Sequence, residues 1–363
     1  MRSSDQKNQE PFHACRLQEN IYSVTILPQN ARKLIYSNQM AIALITGITG
    51  QDGHHLTRLL LAKNYEVHGL VTNERDIRYE SFVSKYPKIK LHSGNLSDYE
   101  SLVSAINVVK PNEIYNLGAL TFVGASFNEP EHTANVTGLG TLRLLEAVRT
   151  SAVKHEIRFY QASSSEMYGL VQEIPQNEAT PFHPRSPYAV AKTFSHFTAQ
   201  NYREAYGMHV SSGILFNHEG EYRGYEFVTR KITSNVARIK LGKQSRFSLG
   251  DLEPKRDWGY AGDYVEAMWS MLQQDVPSDY VIATGQSHSV QEFLEATLEC
   301  AGLKGEISDF VDIDQKLIRP SEVPLLIGDS SKAKRAFGWS PTIDFNGLVE
   351  LMVKNDLQIE SKI

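Results

Sequence analysis

Cysteine is nearly absent from this chain: Cys15 and Cys300 are the two among 363 residues. Two thiols cannot build a disulfide framework or a cysteine zinc site, and that usage points to a reducing, cytoplasmic setting. Excess charge of one sign is lacking as well, since 37 Lys and Arg face 42 Asp and Glu for a net charge of -5. That balance argues against nucleic acid or an anionic membrane as a partner, although a few basic residues can still gather in a pocket for a phosphorylated ligand. No apolar run approaches the roughly 20 residues that span a bilayer, and the first 30 residues carry no continuous apolar core of the signal-peptide kind. What remains, 41% hydrophobic and 22% charged residues, is an ordinary globular composition, enough for one large α/β domain and a smaller one.

The first strong signal is Ala41-Ile-Ala-Leu-Ile-Thr-Gly-Ile-Thr-Gly-Gln-Asp-Gly53. The apolar run from Ala41 to Ile45 reads as a buried parallel strand. Gly47, Gly50 and Gly53 then permit a tight turn, close backbone approach to a pyrophosphate, and a helix whose free N-terminal amides favour an anion. The spacing is a variant of the usual dinucleotide fingerprint. A helical pattern (Leu56, Leu59, Leu60, Leu61) and a second strand (Glu66 to Val71) follow where such a unit needs them.

Strand-like and helix-like segments alternate as far as Phe216, with later strands expected at Lys88 to His92, Glu113 to Asn116, Arg158 to Gln161 and His209 to Leu215. That rhythm predicts a doubly wound parallel α/β sheet of the Rossmann kind. Beyond Asn217 it gives way to loops and helices (Val228 to Leu241, Asp263 to Gln273, Val290 to Cys300, Asn346 to Lys354), which reads as a smaller mixed α/β substrate domain, with ligand in the crevice at the strand ends. The expected division is 1–39, 40–216 and 217–363, the last two interleaved. Residues 1–39 show no periodicity and are expected to be an extension the fold does not need, with Met40 a candidate start.

Tyr188 and Lys192 stand four apart, so on a helix they share a face, and an ammonium there would lower the phenol pKa. Beside a nicotinamide such a phenolate is a general base for an alcohol. The same pair also occurs on ordinary amphipathic helices; the upstream glycine turn, and Ser163-Ser-Ser-Glu166 after a strand-like run (Ile157 to Gln161), favour the catalytic reading. His54 and His55 have no carboxylate or cysteine partner at ligand spacing, and are read as helix-start surface with no metal site.

Several runs carry a closer likeness: LITGITGQDG (44–53), YQASSSEMYG (160–169), SPYAVAK (186–192), FNHE (216–219), VTRKI (228–232), RDWGYAGDYVEAMW (256–269) and RPSEV (319–323). Together with shorter runs they cover about residues 41 to 345, and they resemble the extended short-chain dehydrogenase/reductase family, in its GDP-mannose dehydratase branch. The glycine turn and the Tyr/Lys pair mark the superfamily, whereas FNHE, TRKI, RDWG and RPSEV are characteristic of the branch. The resemblance implies a hydro-lyase acting on a GDP-sugar, as a homodimer or homotetramer, with Ser164, Glu166, Tyr188 and Lys192 catalytic. Glu166 matters most, because elimination of water needs a second acid/base and simple hydride transfer does not. Cofactor contacts are implied at Gly47, Ile48, Thr49, Gly50, Gln51, Asp52, Gly53, Arg75, Asn95, Leu96, Leu117, Gly118, Ala119, Leu120, Thr121, His132, Lys192, His218 and Arg223. Substrate contacts are implied at Glu166, Asn217, Lys231, Arg256, Arg319 and Glu322.

The chain departs from that pattern at identifiable places. Thr72-Asn73 replaces the two arginines that hold the 2′-phosphate of NADP, so NADP is the implied cofactor with NAD as the alternative, and Arg75 and Arg78 are candidates to reach a 2′-phosphate. The loop that follows is shorter. Asn95 replaces an aspartate, Leu120-Thr-Phe122 stands for Gln-Ser-His, Gly220-Glu-Tyr222 for Ser-Pro-Arg, and His54-His55 for Ser-Tyr. A reshaped sugar pocket follows, leaving GDP-mannose, a relative such as GDP-manno-heptose, a reductase or epimerase, and a non-catalytic nucleotide-binding homologue as the readings.

Overall fold

A computed structural model describes residues 40–72, 77–154 and 156–362. Residues 1–39, and the cofactor contact expected at Arg75, lie outside the described residues. The chain runs β1 (Ile42–Thr46), α1 (Gln51–Ala62), β2 (Glu66–Val71), α2 (Ile77–Lys85), β3 (Lys90–Ser93), α3 (Tyr99–Val109), β4 (Glu113–Asn116), α4 (Gly140–Thr150), β5 (Arg158–Ser164), α5 (Pro187–Tyr206) and β6 (His209–Leu215). These strands pair in parallel in the order β6-β5-β4-β1-β2-β3, and a seventh, Asp279–Ile282, closes the β6 edge. The doubly wound parallel sheet expected from the sequence is therefore present.

Alternation explains why the strands read as continuous apolar runs. Ala43 and Ile45 pack with Tyr115, Tyr160 and Met268 on one face, while Leu44 packs with Ile114, Phe159 and Leu145 on the other. Both faces are covered by helices, so neither parity can be polar. Burying a leucine or isoleucine this fully stabilises by about 1.5–3 kcal/mol each.

After β6 the chain forms β7 (Asn217–Glu219), α6 (Val228–Lys240), α7 (Ala261–Gln273), α8 (Val290–Cys300) and α9 (Phe345–Glu360). Ile232 and Val236 of α6, Phe293 and Leu294 of α8, and Leu348 and Met352 of α9 make a separate core. Helix α7 instead lies on the sheet, through Val265, Met268 and Met271. Among the described residues no helix is long and apolar enough to cross a membrane.

Two glycines fix the turn at the sheet's centre. Gly47 has φ +68°, and a Cβ there would lie 2.9 Å from the Gly118 nitrogen. A Cβ on Gly53 would fall 2.0 Å from the Ile48 carbonyl oxygen, so α1 can sit this close to the turn only with glycine.

Candidate active site

Strand β5 runs further than the sequence suggested. Ala162, Ser163 and Ser164 still pair with Gly213, Ile214 and Leu215 of β6, because small side chains fit between covered faces. Ser164 is the last strand residue, and its hydroxyl accepts from the Glu166 amide at 3.3 Å, turning the chain so that Glu166 enters a cavity of about 320 Å³. Ser163 Oγ, one residue back, lies 2.9 Å from His196 Nδ1 of α5.

Helix α5 begins with its Ser186 hydroxyl accepting from the Ala189 amide at 3.1 Å, with Pro187 in the first turn. It ends at Gly207 in the left-handed conformation. Tyr188 and Lys192 share its buried face and line the same cavity as Ser164 and Glu166. Burial pushes the Tyr188 phenol well above its usual range; the hydrogen bond with Ser164 works against burial, and the Glu166 charge adds to it. Lys192 donates to the Ala162 carbonyl at 2.8 Å, and burial holds its ammonium down to about 8, with Asp52 opposing that shift. The expected lowering of the phenol by Lys192 is therefore not the arrangement found: the ammonium is turned to the end of β5, 5.8 Å from the Tyr188 ring centroid.

A larger groove of about 970 Å³ opens beside this cavity. It is lined by Gly47, Thr49, Gly50, Gln51, Asp52 and Gly53 of the turn, by Asn95 and Leu96, by Leu117 to Thr121, and by His132. A ladder of buried polar groups holds its floor: Gly118 N donates to Thr46 Oγ1 at 2.9 Å, Thr46 Oγ1 donates to Asn116 Oδ1 at 2.8 Å, and Asn116 Nδ2 donates to Gln161 at 2.8 Å. Helix α1 starts at Gly50 with no side-chain cap, so its first amides are available to an anion. These features fit a nicotinamide dinucleotide, with the pyrophosphate at the start of α1.

Asp52 lines both cavities. Its Oδ2 lies 2.9 Å from His218 Nε2, and His218 Nδ1 lies 2.8 Å from the Phe216 carbonyl oxygen. Both neighbours are acceptors, so both ring nitrogens donate and the imidazole is charged. Burial opposes the charged form of each, yet His218 and Gln51 hold the Asp52 carboxyl far below the carboxylate range, and Asp52 raises His218.

The smaller cavity is also lined by Asn217, Lys231, Arg256, Arg319 and Glu322. Arg256 is anchored: it donates to the Val323 carbonyl at 2.7 Å and to Glu322 at 2.8 Å. Arg319 stands looser, 3.9 Å from Glu166 and 3.5 Å from Glu322. Burial lowers the Lys231 ammonium, and Asp314 opposes the shift.

Every expected site residue within the described residues lines one of the two cavities except Ile48, whose fully buried side chain packs beneath the turn against Gly69. The reading of His54 and His55 as helix-start surface is wrong. Both are buried, because the 220–227 loop folds over the start of α1 and covers them. That loop was missed as a groove wall: Tyr222, Tyr225, Glu226 and Phe227 line the groove with Arg223. The glycines at 220 and 224, with charged and aromatic residues between them, mark a loop, but nothing in their spacing gives its direction.

A Rossmann sheet whose strand ends present a Ser/Tyr/Lys set, with a glutamate entering the same cavity, defines an extended short-chain dehydrogenase/reductase built for sugar nucleotides. The profile described as GDP-mannose 4,6 dehydratase matches residues 44–352, and the chain belongs to that family. It is 50% identical to GDP-mannose 4,6 dehydratase 1 of Arabidopsis thaliana over 331 residues, covering 88% of this chain and 91% of that one. It is 49% identical to the human GDP-mannose 4,6 dehydratase over 341 residues, with 88% and 92% covered. Among solved structures, the NAD complex of UDP-glucose 4-epimerase from Thermus thermophilus superposes with a TM-score of 0.75 at 27% identity, covering 87% of this chain and 98% of that one. RMD from Pseudomonas aeruginosa, complexed with NADPH, gives 0.72 at 25% identity, with 88% and 98% covered. A nicotinamide cofactor is thus common to these two structural relatives, in NAD and NADPH forms.

Proposed function

We propose that this protein is a GDP-mannose 4,6-dehydratase, a hydro-lyase that converts GDP-mannose to its 4-keto-6-deoxy form with no net oxidation. The observation that carries the reading is the entry of Glu166 into the cavity lined by Ser164, Tyr188 and Lys192, which Lys231 and Arg319 line as well. An epimerase or reductase needs the Ser/Tyr/Lys set but not a second acid/base.

In this reading the Ser164 hydroxyl holds the sugar 4-oxygen and Tyr188 removes its proton. A nicotinamide bound in the groove would supply the hydride acceptor for C4 and, once reduced, the hydride donor for C6. Tyr188 must lose a proton that burial retains, so Lys192 and the charge of the bound cofactor act on the phenol in the loaded enzyme. Glu166 takes the proton from C5, made acidic by the 4-ketone, and protonates the hydroxyl that leaves C6 as water; the proton that Tyr188 took from the 4-oxygen goes to C5 when C6 is reduced. Lys231 and Arg319 receive the diphosphate, while Arg256 keeps Glu322 and the 322–323 backbone in place. His218, charged through Asp52, and Arg223 face the dinucleotide.

NADP is the preferred cofactor in this proposal. Arg78, with Tyr79 and Ser81, lines the end of the groove beyond β2, where a 2′-phosphate would fall. The outer face of α5 supports a homodimer: Val190, Phe194 and Phe197 are exposed there in one stripe. A cytoplasmic location accords with the low cysteine content.

The test is mass spectrometry of purified protein incubated with GDP-mannose and, separately, GDP-manno-heptose, each with NADP or NAD. Loss of one water from GDP-mannose with the diphosphate intact is the expected result. An unchanged mass, or a change with the heptose alone, overturns the proposal.

A further inference from the structure

The chain leaving β7 lines the larger groove as the 220–227 loop, and it is gripped from three directions. From below, the His54 ring stacks on the Tyr222 ring at 4.4 Å between centroids and 11° between planes. His54 itself rests on Phe82 and Tyr86 of the α2 region, at 5.0 and 5.7 Å. His55 meets Tyr222 edge-on at 5.2 Å, and its Nε2 lies 3.6 Å from Glu221, as does Arg58 Nη1. From the side, the Lys85 ammonium sits 4.2 Å from the Tyr222 ring centroid and donates to the Tyr222 hydroxyl. From above, Arg230 donates to the carbonyls of Glu221 and Arg223 at 2.8 and 3.1 Å, and pairs with Asp356 at 2.7 Å.

His54-His55 and Gly220-Glu-Tyr222 lie more than 160 positions apart in the sequence. The fold presses these two stretches face to face. His54 and Tyr222 both line the groove, so their stack forms part of the wall that encloses a bound dinucleotide. Burial keeps both imidazoles neutral, pushing each down to about 4, and no charge separates the rings at neutral pH. The mechanism has no use for either histidine.

We propose that Tyr222, held between His54 and Lys85, is a positioning residue that fixes the 220–227 loop over the groove and retains the nicotinamide cofactor from one turnover to the next. The proposal rests on the dehydratase reading in one respect: a reaction that takes and returns the same hydride has no need to exchange its cofactor. A dinucleotide seated against the start of α1 leaves only when the loop lifts, and lifting it breaks the stack and the Lys85 contact together.

The test measures cofactor release without any sugar nucleotide. Holoenzyme loaded with NADPH, and in parallel with NADH, is chased with excess oxidised cofactor while nicotinamide fluorescence is followed. Tyr222→Ala is expected to speed release at least about tenfold, as loss of a stacked pair with its cation contact should. Lys85→Met, at an exposed position, should speed it roughly threefold. Tyr222→Phe keeps the stack and should fall between Tyr222→Ala and wild type. With GDP-mannose present, the KM for added cofactor should rise more than kcat falls in Tyr222→Ala. Release unchanged in Lys85→Met, or in a Tyr222→Ala protein of native melting temperature, overturns the proposal, as does a wild-type holoenzyme that sheds its cofactor within one turnover time. If release speeds up as described but GDP-mannose is not dehydrated, the dehydratase reading alone fails.

Discussion

Arg319 stands between two carboxylates, 3.9 Å from Glu166 and 3.5 Å from Glu322. The cation proposed to receive a diphosphate is thus the same one that faces the proposed acid/base of the elimination. In the proposed mechanism, substrate binding and proton transfer meet at one guanidinium.

Replacing Arg319 by alanine should therefore raise the KM for the sugar nucleotide roughly ten- to a hundredfold, the worth of about 1.5–3 kcal/mol for hydrogen bonds to a charged group. Arg319→Lys should recover part of this, since an ammonium keeps the charge but loses the planar fork. Steady-state kinetics decides the matter, and an unchanged KM in the alanine variant removes Arg319 from the substrate site.

Glu166→Gln should lower dehydration about 10²- to 10⁴-fold, the usual range for a positioned acid/base. Its cofactor affinity should stay near wild type, because Glu166 lines the smaller cavity and not the groove. A solvent-deuterium experiment sharpens the result. With C4 oxidation intact and C5 deprotonation blocked, the variant should accumulate reduced cofactor without incorporating label at C5; label at the wild-type rate would show another base at work.

Asp52→Asn should destabilise the protein in a pH-dependent way. The Asp52 pKa is depressed in the folded state, so its contribution is present above about 4, the unfolded value, and is lost as pH falls towards its folded pKa. The His218 pKa is raised, so its contribution is fully present below about 6.5 and is lost as pH rises through its folded value. The pair is strongest between those limits. Melting temperatures of wild type and variant should differ most near pH 6, by the equivalent of about 3 kcal/mol for a broken buried pair, and less near pH 9. An equal difference at both pH values would show that the carboxylate acts by packing and not by charge.

Phe194→Glu on the outer face of α5 should separate a dimer into monomers without unfolding it, since Phe194 is 44% exposed within one chain. Light scattering after gel filtration reads the mass directly. A wild-type protein that runs as a monomer would leave the α5 stripe without the proposed role.

Much of this was legible in the sequence where local rules suffice. The glycine turn, the six alternating strands and the Tyr188/Lys192 face follow from periodicity and from spacing along one helix. What escaped depends on which distant segments touch. His54 and His55 looked like surface because the loop that covers them lies more than 160 residues downstream. Lys192 was expected to act on the phenol, but the Ala162 carbonyl at the end of β5 is a closer partner, and strand extension to Ser164 put it there. Arg256 is expected from the sequence among the substrate contacts, and its engagement by two backbone carbonyls and Glu322 depends on the distant 322–323 segment, which no local spacing gives.

The seventh strand of the sheet, Asp279–Ile282, comes from well inside the part of the chain that builds the substrate side, and it pairs with β6 along Ser212 to Leu215. The nucleotide-binding half is thus not a detachable module. A fragment cut after Phe216 would present β6 as an open edge and uncover the sheet face that α7 protects, an invitation to pair with other chains. During synthesis the same geometry delays closure of the sheet until Asn217, Lys231 and Arg256 have emerged from the ribosome, with Arg319 and Glu322 still to follow.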